Sequence, residues 1–167
     1  MLPESRLDAM RIYQRRLVSP AYFTRSNAAT NGSLRSATEI TVKIIIETIP
    51  HREQRYRTSG DWIIDPDGTI QIRVSELSNW RREALVAVHE LWEGLICKHR
   101  GITQEAVDAF DIEYEANRGS GDDSEPGDNP EAPYRREHCS ATGVERLLAS
   151  ELDVVWKDYE DEILALP

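Results

Sequence analysis

In the run Val86-Ala87-Val88-His89-Glu90-Leu91-Trp92-Glu93, a histidine and two carboxylates fall within a single helical turn. At 100° per residue His89 and Glu93 point about 40° apart, and Leu85, Val86 and Ile96 fall within roughly 60° of that direction. Two groups able to ligate a metal therefore face a core, with Glu90 about a quarter turn away. Burying an ionised carboxylate beside a histidine costs several kcal/mol unless something pairs with it. A divalent cation is the simplest partner. A metal site needs at least three protein ligands, and an open position for water if it is catalytic. His89 and Glu93 supply two, and His138, at the start of the last helical stretch, is the first choice for the third. On a helical wheel it shares a stripe with Thr142, Glu145, Leu152 and Trp156. Glu145 then serves as a partner of a ligand or as a fourth ligand, while Asp108 and Asp111 are the next candidates for the third position. Glu90 is placed to take a proton from water at the metal. The competing readings are a packed core histidine at 89 and a solvated helix carboxylate at 90.

These groups must be positioned by the elements around them. Residues 4–17 read as a short amphipathic helix and 24–38 as a loop rich in Ser, Thr, Asn, Ala and Gly. Thr41–Ile49 is β-branched almost throughout and predicts a central strand ended by Pro50. Trp62-Ile63-Ile64-Asp65, the turn chemistry of Pro66-Asp67-Gly68, and the alternation of Ile70, Ile72 and Val74 with Gln71 and Arg73 predict a hairpin. Ser78 or Asn79 can cap a helix running to about Lys98, closed by His99-Arg100-Gly101. Thr103 opens a second helix. Residues 118–133, dominated by Gly, Pro and acids, read as a flexible solvated loop. Tyr134 to about Leu166 is helical, in one or two pieces. The four tryptophans and Cys97 and Cys139 read as packing residues.

The chain has 167 residues, 40% of them hydrophobic, enough for one folded domain with a real core. No apolar run approaches the ~20 residues of a membrane span. Without the apolar core of a secretory signal at its start, the chain is expected in the cytoplasm. The net charge of −10 is uneven: residues 1–58 carry ten Lys/Arg against five Asp/Glu, and residues 59–167 carry ten against twenty-five. The acidic part holds the candidate site, which argues against nucleic acid there and favours cations or basic partners.

A strand, a hairpin and then a helix bearing His89-Glu90-x-x-Glu93 resemble the core of the zincin-type metallopeptidases, whose motif is HExxH. The resemblance implies that Thr69–Val74 is the edge strand along which extended substrate lies, and Val86–Lys98 the active-site helix. It also implies that His89 and Glu93 bind zinc with His138 as the downstream third ligand, and that Glu90 polarises water. A His/Glu/His set suits zinc, and the added carboxylate admits manganese or iron. VAVHELWEGLICKHRGI and PYRREHCSAT are also similar to segments of short proteins of tailed bacteriophages, which carry no known activity and imply a host-cell setting. Glu90-x-x-Glu93 followed by Glu105-x-x-Asp108 resembles, in turn, the ExxE…ExxD pattern of MazG-type nucleotide pyrophosphohydrolases. There the acids of two helices hold magnesium.

The expectation is one α+β domain over residues 1–167, with a flexible acidic loop at 118–133. A small antiparallel sheet with an edge hairpin should pack against the metal-binding helix and the C-terminal helix. The function expected is metal-dependent hydrolysis of peptide bonds, with His89, Glu93 and His138 on zinc and Glu90 as general base. The alternatives are a magnesium-dependent pyrophosphohydrolase using Glu90, Glu93, Glu105 and Asp108, and a non-catalytic phage protein that binds a host partner and uses metal for stability.

Overall fold

Three strands precede the long helix: β1 (Ile44–Ile49), β2 (Gly60–Ile64) and β3 (Ile70–Ser75). They belong to a computed structural model that describes residues 42–167, all within the unit Ile40–Pro167. The helix expected at 4–17 and the loop at 24–38 lie outside the described residues. The hairpin forms where its turn chemistry predicts. Gly68 N–H donates to Asp65 O at 2.8 Å, Asp65 N–H to Thr69 O at 2.9 Å, and Gly68 adopts φ 88°. A positive φ at that corner is why glycine stands there.

β2 pairs antiparallel with β3, from Gly60↔Val74 to Ile64↔Ile70. Alternation along β3 places Ile70, Ile72 and Val74 in the core at 1% exposure each, with Gln71 and Arg73 half-buried. Each such side chain contributes about 1.5–3 kcal/mol by leaving water. The sheet differs from expectation in two respects. Its order is β1-β3-β2, and β1 runs parallel to β3, so the sheet is mixed. β3, expected at the edge, is the central strand, while β1, expected at the centre, is an edge strand with Ile44 and Ile46 exposed. A run of β-branched residues reports strand propensity, not how many neighbours the strand will have.

Four helices follow among the described residues: α1 (Trp80–Arg100), α2 (Gln104–Ala116), α3 (Arg135–Glu151) and α4 (Trp156–Leu164). Asn79 caps α1, its side chain accepting from the N–H groups of Arg81 and Arg82. Gly101 closes it in the left-handed region at φ 76°, and Ile102 N–H returns to Cys97 O at 3.0 Å. Thr103 caps α2 through Ala106 N–H. α1 lies against β2 and β3 on one side and packs along α3 on another. Ion pairs pin the ends. Arg55 bridges Asp61 of β2 and Asp108 of α2 at 2.7 Å each, Arg100 joins α1 to Glu137 of α3, and Arg82 joins α1 to Glu162 of α4. The α+β class is therefore as expected, with a mixed sheet in place of an antiparallel one. No described helix is long and apolar enough to cross a membrane.

A Cβ at Gly68 would meet nothing within 4 Å, so Gly68→Ala tests backbone strain alone. The substitution is expected to lower stability by about 1–2 kcal/mol in urea denaturation, with the slope of the transition unchanged.

Candidate metal centre

The seam between α1 and α3 brings three buried polar groups to one point. α1 supplies His89 and Glu93 one turn apart, and α3 supplies His138 from the facing side. His89 Nε2 lies 3.2 Å from His138 Nδ1 and 3.5 Å from Glu93 Oε2, and Glu93 Oε2 lies 3.1 Å from His138 Nδ1. Tetrahedral zinc, with bonds of about 2.0–2.1 Å, sets its ligand atoms about 3.3–3.4 Å apart. The triangle of donors has that size. All three residues are at least nine-tenths buried.

Each of the three is oriented by a separate partner. His89 Nδ1 lies 2.9 Å from Glu145 Oε2, and Glu145 Oε1 accepts from the Tyr159 hydroxyl on α4. Nδ1–H therefore donates to a carboxylate, which leaves the Nε2 lone pair toward the seam. The other ring nitrogen of His138, Nε2, lies 3.0 Å from Glu125 Oε2. Glu93 Oε1 accepts from Trp62 Nε1–H of β2 at 3.0 Å. A ligand histidine backed by a carboxylate is the usual way metal sites fix tautomer and ring orientation.

Charge around the triangle is balanced by protons when no cation is present. Burial lowers the affinity of His89 for a proton, but Glu145 and Glu93 outweigh it and hold the imidazole well above its usual range. Burial likewise opposes charge on His138, yet Glu125 and Glu93 raise it to about 10. Burial alone would raise Glu93, whereas His138 and His89 bring it down to about 2. Two N–H groups cannot both point across the 3.2 Å gap between the imidazoles, so that gap holds one proton at most. A divalent cation would satisfy all three lone pairs at once.

Glu90 leaves α1 on a different side and lies against β2. A Cβ added at Gly60 would stand 2.6 Å from Glu90 Cγ and 2.7 Å from its Oε1. Burial, opposed by His89 and reinforced by Glu93, raises the Glu90 carboxyl well above its ordinary range. Glu90 lines two adjoining cavities. One, about 170 Å³, is shared with Tyr56, Trp62, Glu93, Asp111 and His138; the other is shared with His89, Glu145 and Tyr159. Glu90 is therefore partly buried at a cleft beside the triangle, and not a solvated carboxylate.

The remaining candidates divide sharply. Glu145 stands behind His89 as an orienting partner. Asp111 is held by the hydroxyls of Tyr134 and Tyr56, and burial raises it to about 7. Asp108 is committed to Arg55, and Glu105 is exposed on α2, so the ExxE…ExxD acids do not converge. Cys97 is buried and Cys139 exposed, and neither joins the triangle. Two expectations need correction. The acidic loop is not solvent-bound throughout: Pro126–Asp128 forms a 3-10 turn with Gly127 buried against the His138 ring, and Glu125 pairs with that ring. Trp62 is more than a packing residue, since its N–H holds Glu93. A lone Glu in a Pro/Gly-rich run gives no periodicity from which its partner could be read, and an indole in a strand looks the same whether or not its N–H is used.

Two outcomes follow. A Cβ at Gly127 would lie 2.6 Å from His138 Nδ1 and 2.7 Å from Cδ2. If the triangle holds a divalent cation, Gly127→Ala is accordingly expected to weaken that binding by about 10-fold or more without loss of helical circular dichroism; unchanged affinity would show that the turn yields instead. The second concerns pH. His138, raised from 6.5 to about 10, contributes stability that is complete below its unfolded value and lost as pH rises toward 10. Glu93, lowered from 4.5 to about 2, contributes above 4.5 and loses this as pH falls toward 2. The protein should thus be most stable between those ranges in denaturant titrations.

No protein-family model matches the chain, and neither a curated protein nor a solved structure shows significant similarity to it.

Proposed function

We propose that the protein is a divalent-metal hydrolase of the zincin kind acting on peptide bonds, with His89, Glu93 and His138 as metal ligands and Glu90 as general base. The observation that carries this reading is the donor triangle of 3.1–3.5 Å, in which every ligand has its own orienting partner. The donor set fits a zinc-like cation: two imidazole nitrogens and one carboxylate oxygen are ligands of intermediate softness, and three of them leave a position open. A bound zinc would supply Lewis acidity and make water acidic enough to attack near neutral pH.

The rest falls to the chain's own residues. In this reading Glu90, adjacent to His89 and lining the cleft, accepts the proton of the attacking water and returns it to the leaving amine. β2 is the edge strand on the cleft side, the place that Thr69–Val74 was expected to fill. With Asp65 N–H bonded to β3, alternation turns the backbone of Gly60, Trp62 and Ile64 outward. Gln104 takes the Ile64 N–H, and an extended peptide can pair with the Trp62 backbone by strand addition. The scattering of Glu105 and Asp108 gives no support to a nucleotide pyrophosphohydrolase.

The test begins with metal content by mass spectrometry on untagged protein purified without chelators. Near-stoichiometric zinc, manganese or iron is expected in the wild type and in Glu90→Gln, and its loss in His89→Ala. Cleavage of a peptide library should fall by about 10²-fold or more in Glu90→Gln. Equal turnover in that variant would remove Glu90 from the mechanism, and a wild type that stays empty after reconstitution would remove the metal.

A further inference from the structure

We infer that Trp62 is a positioning residue that restricts Glu93 to one-oxygen ligation and thereby selects a four-coordinate cation over six-coordinate, oxygen-seeking ones. The inference rests on the metal reading above and goes further, to what decides which metal is held. The two oxygens of Glu93 have separate assignments. Oε2 faces His138 Nδ1 at 3.1 Å and His89 Nε2 at 3.5 Å, while Oε1 accepts from Trp62 Nε1–H at 3.0 Å. An indole N–H only donates, so the oxygen it engages is turned from the triangle toward the strand. A carboxylate free to rotate could close on a cation with both oxygens and fill two coordination positions. Held by Trp62, it fills one.

The indole is itself fixed. Trp62 sits in β2 opposite Ile72 and is 3% exposed. Its ring lies under α1 at Gly94, where an added Cβ would stand 2.9 Å from the indole Cγ and 3.0 Å from Cδ2. A buried indole N–H needs an acceptor. Glu93 is that acceptor, so the tryptophan and the carboxylate hold each other in place. Two imidazoles and one carboxylate oxygen then make three donors, the number that leaves tetrahedral zinc its open position. Manganese, which favours six oxygen-rich positions, loses the second carboxylate oxygen.

The test compares wild type with Trp62→Phe, which keeps an aromatic ring but has no N–H. Cobalt(II) is used as a spectroscopic probe, and zinc and manganese affinities are measured by competition. Wild type should give the intense visible absorption of four-coordinate cobalt. Trp62→Phe should give the weaker spectrum of a higher coordination number, with the zinc-to-manganese affinity ratio reduced by about 10-fold or more. Gly94→Ala, which keeps the N–H but displaces the ring, should change both readouts in the same direction and serves if Trp62→Phe does not fold. Identical spectra and ratios in a folded variant and wild type would overturn the role of Trp62 while leaving the metal site intact. A wild type that binds no cobalt, zinc or manganese would overturn the metal reading and this inference with it.

Discussion

Two imidazole nitrogens and a carboxylate oxygen meeting inside the α1–α3 seam impose the constraint to which the surrounding structure responds. Such a group of lone pairs and charges is costly to bury unless each has a partner and the centre holds a proton or a cation. The partners come from well-separated parts of the chain: Trp62 from β2, Glu125 from the acidic segment, and Glu145 with Tyr159 from α3 and α4. The sheet, the C-terminal helix and the loop are therefore coupled through the same few polar contacts.

Close approach is achieved by small residues at the contact points. Gly60 lets Glu90 lie on β2, Gly94 lets the Trp62 ring lie beneath α1, and Gly127 lets the acidic segment touch the His138 ring. At each of these positions even a methyl group would come within 3 Å of a side chain that forms or borders the centre. Gly94 is also a helical residue in the interior of α1, where glycine costs about 1 kcal/mol relative to alanine. The close packing of the indole offsets that cost.

The acidic excess of the chain is less available than its count suggests. Asp61 and Asp108 are bridged by Arg55, Glu115 is paired with Arg118, and Glu137 with Arg100. Around the two histidines, Glu93, Glu125 and Glu145 pair with imidazole rings and with no Lys or Arg side chain among the described residues. A field of that sign attracts cations and repels phosphate backbones.

Local chemistry was legible from residues alone. The hairpin could be read because Pro66-Asp67-Gly68 permits few other conformations, and α1 because Asn79 and Gly101 mark its ends while its apolar residues recur at helical spacing. His89 and Glu93 could be paired because one turn of helix fixes their separation, and His138 could be joined to them from the apolar stripe it shares on α3. Strand order, the parallel pairing of β1, and the parts played by Trp62, Glu125 and Tyr159 were not legible. Each depends on contacts between residues far apart in the chain, where periodicity carries no information. Sequence by itself determined which side chains could act and which way each faced on its own element. Only the tertiary structure decided which of them meet, because partner choice for a buried polar group is settled by packing and not by spacing.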